Sequence, residues 1–101
     1  MSPNLQENIL KDGFLEKQSK FIKSWRKRYV NLTETHLKTF KQSNGIRQVA
    51  TEFIPLNNDF RVKSADDELN VPNSFKVMTK DRTFYFRGAD NADKEAWIEA
   101  L

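Results

Sequence analysis

Between Lys17 and Arg28 the chain carries six cations, Lys17, Lys20, Lys23, Arg26, Lys27 and Arg28, and no acid. The whole chain of 101 residues has a formal charge of only +3, so the rest of it is net acidic, eleven cations against fourteen carboxylates. Cations this dense repel one another in a folded protein, whereas a surface that is merely soluble mixes signs. An anion is therefore the expected occupant. Arginine's planar fork suits bidentate contact with phosphate and lysine adds a point charge, so several phosphates on one compact group match the cluster better than a single carboxylate.

The remaining inventory argues against catalysis. His36 is the single histidine, there is no cysteine, and three glycines form no phosphate-cradling loop, which leaves no nucleophile and base pair and no expected metal or cofactor. The carboxylates of Asp66 and Asp67 read as a solvated polar loop, and His36 as a surface or turn residue. Nucleic acid is not an expected partner, because one hairpin provides too short a basic track. Absence of cysteine fits a reducing compartment, and no segment has the pattern of a signal peptide or a spanning helix, so the expected location is cytoplasmic.

The elements that must position these cations follow from hydrophobic period. At this length one domain is expected, over residues 11–101, behind a loose arm at 1–10 whose Ile9 and Leu10 dock on the body. Short alternating runs broken by turn formers predict seven strands: Gly13 to Lys17, Trp25 to Leu32, Leu37 to Lys41, Val49 to Ile54, Phe60 to Lys63, Ser74 to Thr79 and Thr83 to Arg87. Ser43-Asn44-Gly45 signals a turn after the third. From Asp90, a plausible N-cap, the period lengthens, and Trp97, Ile98 and Leu101 make one apolar stripe of a helix over 91–101. The fold class is mainly β, a strongly bent antiparallel barrel of seven strands capped by one C-terminal helix. Because the helical pattern is still running at Leu101, the chain reads as a domain excised from a longer protein.

Alternation along the second strand puts Arg26, Arg28, Val30 and Leu32 on one side and Trp25, Lys27, Tyr29 and Asn31 on the other. Two arginines thus lead into two core aliphatics, which places the guanidinium groups at the mouth of the barrel with Lys17 beside them. Lys27 points away. Lys20, Phe21, Ile22 and Lys23 lie in the loop above as an accessory rim, where Phe21 and Ile22 either tuck under the loop or enter a lipid interface.

The runs Gly13-Phe14-Leu15-Glu16-Lys17 and Trp25-Arg26-Lys27-Arg28-Tyr29-Val30, followed by a helix with a lone Trp97, resemble the pleckstrin homology (PH) domain. Lys17, Arg26 and Arg28 match that family's phosphoinositide motif. A closer similarity is to the PH domain of the protein kinase B (Akt/RAC) family, through Phe21 to Tyr29, Pro55-Leu56-Asn57-Asn58, Pro72-Asn73-Ser74-Phe75 and Arg82-Thr83-Phe84. The resemblance implies binding of phosphatidylinositol 3,4,5-trisphosphate or the 3,4-bisphosphate, recruitment from the cytoplasm to the plasma membrane, and a headgroup pocket of Lys17, Arg26, Arg28, Asn57 and Arg82. It also implies a Ser/Thr kinase as parent protein, its kinase domain a partner of this one, and a monomer.

Three positions depart from the pattern. Thr39 and Phe40 stand where a tyrosine hydroxyl is common, Lys20 stands where the kinase has an acid, and Thr51 or Glu52 replaces a basic residue, with Arg47 the nearest substitute. The competing expectation is a protein-interaction module of the same shape that binds anionic lipid only weakly.

Overall fold

A computed structural model of the chain describes residues 8–20, 23–41 and 49–101. Seven strands are present: β1 Lys11–Gln18, β2 Trp25–Leu32, β3 His36–Phe40, β4 Glu52–Pro55, β5 Arg61–Ser64, β6 Ser74–Met78 and β7 Thr83–Arg87. Two helices accompany them, α1 Asp66–Leu69 in the β5–β6 connection and α2 Asn91–Ala100 at the end. The expected elements are all there with ends shifted by a few residues, and the fourth strand starts three residues later than its apolar run suggests. The short α1 was not foreseen, and it replaces the polar loop expected at Asp66 and Asp67. The turn expected at Ser43-Asn44-Gly45 lies outside the described residues, as do Arg47, Phe21, Ile22 and the first seven residues of the arm. Leu10 donates its N–H to the Leu32 carbonyl at 2.8 Å, carrying the β1–β2 pairing one step further, while Ile9 and Leu10 remain half exposed.

The strands form one antiparallel sheet in the order β4-β3-β2-β1-β7-β6-β5. β1 is the strand about which the sheet bends, pairing with β2 along its whole length and with β7 near its end, so that Lys17 faces Arg26 on one side and Phe86 on the other. The core lies within the bend: Leu15, Val30, Leu32, Leu37, Ile54, Phe75, Val77, Phe84, Phe86 and Trp97 form one buried cluster. Alternating residues supply it, as a sheet with one covered face requires.

Helix α2 begins as its sequence predicts. The Asp90 side chain accepts from the Asp93 N–H at 2.8 Å, and Asp93 in turn accepts from the Ala89 N–H at 3.0 Å, a reciprocal cap. The helix packs on β5 and β6 and sends Trp97 across to β1, where it meets Gly13. Gly13 has φ of 152°, which side chains rarely adopt, and a Cβ there would sit 3.8 Å from the Trp97 ring. Gly88 makes the other close approach, since a Cβ would lie 2.9 Å from the Lys94 nitrogen.

Two polar side chains, His36 and Lys94, lie in the interior. His36 is buried, not a surface residue, because both faces of β3 are covered: its ring lies 4.7 Å from that of Phe53, and its Nδ1 is 2.9 Å from Thr35 Oγ1. Lys94 is buried on the Trp97 face of α2, where its ammonium donates to Ser64 Oγ at 2.8 Å and lies 3.1 Å from Asp66 Oδ2. Asp66 also accepts from the Ser74 N–H at 2.9 Å, so one carboxylate ties α1 to both β6 and α2. The Ser74 hydrogen bond, then the bond from Lys94, holds its carboxyl below the usual carboxylate range. A carboxyl depressed in the folded state adds stability above its unfolded pKa, about 3.9, and loses it as pH falls through the lower folded value. Asp66→Asn is therefore expected to lower the urea midpoint at pH 7 and to converge with the wild type at pH low enough to protonate the folded carboxyl. A constant gap at every pH would contradict this.

Candidate anion-binding site

The basic cluster is brought together by register and parity. Lys17 pairs with Arg26 and Leu15 with Arg28 across the β1–β2 ladder, and partners directly opposite share a face. That face is the core face: Leu15, Val30 and Leu32 are buried, Lys17 is nearly so, Arg28 is half-buried and Arg26 exposed. The core therefore grades outward into a cationic mouth. Lys17, Ser19, Lys20, Arg26, Arg28, Lys41, Thr51, Glu52 and Arg82 line an open cleft of about 400 Å³ there.

Each cation is positioned by its own element. Arg82 follows the β6–β7 turn, closed by Thr79, whose N–H and Oγ1 both donate to the Arg82 carbonyl at 2.8 and 2.9 Å. Its guanidinium lies 4.3 Å above the centre of the Phe84 ring, with the Lys17 ammonium 5.9 Å from the same centre. Arg28 is steadied by donating from Nη1 to the Lys27 carbonyl at 2.9 Å. Lys41 reaches the mouth by the alternation that carries Leu37 and Thr39 inward. Lys20 borders this cleft, and with Arg82 it also borders a smaller one, of about 140 Å³, on whose wall Lys23 lies. The rim residues Phe21 and Ile22 fall outside the described residues.

Glu52 is the one carboxylate among the described residues lining the cleft. Its Oε2 lies 3.0 Å from Arg82 Nη1 and 3.5 Å from Lys17 Nζ. Burial pulls the Lys17 ammonium below the ordinary lysine range; Glu52 works against that shift, and the neighbouring Arg82 and Arg28 add to it. Keeping Lys17 charged thus costs free energy, which an arriving polyanion would offset.

Asn57 is a correction. β4 runs antiparallel to β3 with Glu52 opposite Thr39 and Pro55 opposite His36, so its first residue lies at the mouth and its last at the far end of the sheet. Asn57 follows Pro55 and is therefore carried away from the cleft, where its Oδ1 accepts from the Asp59 N–H at 2.9 Å. Asn57 is not among the described residues that line the cleft. Thr39 also differs from a ligand: it is fully buried, and its Oγ1 lies 2.6 Å from that of Thr51. Lys41 and Glu52 were legible, since each shares parity with a core residue, Lys41 with Thr39 and Glu52 with Ile54.

A larger groove of about 580 Å³ lies on the opposite face, lined in part by Phe14, Glu16, Lys27 and Arg87. Its cations are already engaged. Lys27 stands 4.5 Å over the Phe14 ring, and Arg87 Nη2 is 2.5 Å from Glu16 Oε1. The smaller cleft is the richer of the two in cations.

Comparison with known proteins agrees with this architecture. The family model of the PH domain matches residues 9–101. A pleckstrin homology domain-containing protein 1 of Arabidopsis thaliana is 32% identical over 97 residues, 93% of this chain and 67% of its own. A RAC family serine/threonine-protein kinase homolog of Dictyostelium discoideum is 32% identical over 93 residues, 92% of this chain and 20% of its own, so the chain spans about a fifth of that relative. The C-terminal PH domain of pleckstrin, solved in complex with D-myo-Ins(1,2,3,5,6)P5, aligns with a TM-score of 0.79 at 26% identity, over 94% of this chain and 93% of its own. A Slm1-PH domain in complex with phosphoserine aligns with a TM-score of 0.73 at 27% identity, over 90% of each chain.

Facing gives a sharp contrast between neighbours in sequence. Arg28→Ala is expected to weaken binding of a soluble polyphosphate by about tenfold to a hundredfold, the worth of a charge-assisted hydrogen bond or two, and Lys27→Ala by less than about threefold. Calorimetric titration of both variants checks it, and equal losses would contradict the assignment of faces.

Proposed function

The chain belongs to the PH domain family, and we propose that it binds the phosphorylated inositol headgroup of phosphoinositides and so brings the protein it is part of to a membrane. The observation that carries this reading is the convergence of Lys17, Arg26, Arg28, Lys41 and Arg82 on one cleft. The pleckstrin domain solved with an inositol pentakisphosphate, 26% identical over 94% of this chain, supports the ligand class.

In its finer form the ligand is a headgroup phosphorylated at the 3-position, phosphatidylinositol 3,4,5-trisphosphate or the 3,4-bisphosphate, and the parent protein is a Ser/Thr kinase. The resemblance of Lys17, Arg26 and Arg28 to the family's phosphoinositide motif supports the first, and the RAC family relative supports the second. The domain works as a binding module and not as a catalyst: it rests in the cytoplasm as a monomer and moves to the plasma membrane when the lipid is made, carrying the kinase domain with it. Lys17, Arg26, Arg28 and Arg82 clasp the phosphates, with Lys41 and Lys20 at the edge of the cleft. Arg26, Arg28 and Arg82 supply guanidinium forks for bidentate contact, and the lysines supply point charges.

Acidic vesicles alone are a poor test, since each Lys or Arg near an anionic leaflet contributes about 1 kcal/mol with no pocket at all. Soluble inositol 1,3,4,5-tetrakisphosphate is expected to bind at least about tenfold tighter than inositol 1,4,5-trisphosphate in calorimetry at 0.15 M salt, where surface attraction is screened beyond about 8 Å. Equal, weak and steeply salt-dependent binding of both would contradict headgroup recognition and favour the protein-interaction module.

A further inference from the structure

The carboxylate in the cleft is anchored there by construction. Thr51 donates its backbone N–H to the Thr39 carbonyl at 2.7 Å and its Oγ1 to the same carbonyl at 3.0 Å. Glu52 follows directly on this clamp, opposite Thr39, and alternation aims it to the same side as buried Ile54. Its side chain is 23% exposed and that of Lys17 10%, so this ion pair is drier than one at an open surface. The same oxygen that meets Lys17 also meets Arg82, so a single carboxylate occupies the space between a cation on β1 and one in the turn that leads into the neighbouring β7.

We propose that Glu52 is a specificity-determining residue of the cleft: an internal anion that holds Lys17 and Arg82 together and that a phosphate must displace before it can use both. This rests on the polyphosphate reading above. The space between Lys17 and Arg82 is the one a phosphate would take, because two cations already converge there on one oxygen. A phosphate entering it meets the carboxylate at close range, in a setting where like charges repel more strongly than in bulk water. Phosphates seated only among Arg26, Arg28 and Lys41 do not have to evict it. Glu52 therefore penalises a defined phosphate position, and it lowers affinity for any headgroup that fills that position.

The same geometry predicts an exchange of stability for affinity. Without Glu52's charge, Lys17 and Arg82 face each other with nothing between them, so the protein with no headgroup bound loses a compensated contact while a phosphate gains an unobstructed one. Net charge alone would act differently, since removing any carboxylate from this basic protein raises its attraction for anions. Glu16 provides the control, because it pairs with Arg87 on the opposite face.

Calorimetry with inositol 1,3,4,5-tetrakisphosphate at 0.15 M salt, with thermal melts of the same samples, tests this on wild type, Glu52→Gln and Glu16→Gln. Glu52→Gln is expected to bind about tenfold tighter and to melt lower before ligand is added, and Glu16→Gln to bind within about twofold of wild type. Glu52→Asp, one methylene shorter and still charged, is expected to tighten binding by a smaller factor, and it serves if Glu52→Gln does not fold. If wild type and Glu52→Gln bind equally tightly, the displacement proposal fails and the cleft remains a headgroup site. Equal tightening by Glu52→Gln and Glu16→Gln would reduce the effect to net charge and overturn it too. If no variant binds, the headgroup reading itself falls and takes this proposal with it.

Discussion

Pairing of Lys17 with Arg26 across β1 and β2 sets two cations side by side on a face that, further in, carries Leu15 and Val30. The whole site depends on that register. A slip of one residue would turn every β2 side chain over, sending Lys27 and Tyr29 into the core and the arginines to the outer surface. Burial of Val30, Leu32 and Leu15 makes such a slip costly, at roughly 1.5–3 kcal/mol for each large aliphatic removed from its place. The apolar core thus fixes the direction of the charges, and the energy that orders the mouth comes from the residues beneath it.

Against that frame the electrostatics of the mouth are unfavourable on their own. Six cations line one cleft, and among the described residues there a single carboxylate relieves them. Lys17 bears the cost most directly, because it is the most buried of the six. Phe84 beneath Lys17 and Arg82 offsets part of it through its ring face, and Glu52 offsets more. A folded protein that holds charge in this way is poised to gain from a ligand that supplies many acceptors at once.

Much of this was legible in the sequence because it follows from period. Alternation along Trp25 to Leu32 gave the facing of Arg26, Arg28 and Lys27, and the Asp90 cap and Trp97 gave the last helix. Positions that depend on a partner strand were harder to read. Asn57 looked like a ligand from the run Pro55-Leu56-Asn57-Asn58, but the β3–β4 register carries it to the far end, and no local pattern reports register across a long connection. His36 looked like a surface or turn residue, yet it is buried, with its ring against that of Phe53. The four-residue helix α1 has too little length to show a helical period.

The most direct measurement is an amide NMR titration with inositol 1,3,4,5-tetrakisphosphate, which reads every strand at once. The account predicts shifts concentrated at Lys17 to Lys20, Arg26, Arg28, Lys41, Thr51, Glu52 and Arg82, with Asn57, Phe14 and α2 unmoved. Shifts centred on Asn57 or on the groove beside Lys27, or spread evenly over lysines throughout the chain, would contradict it.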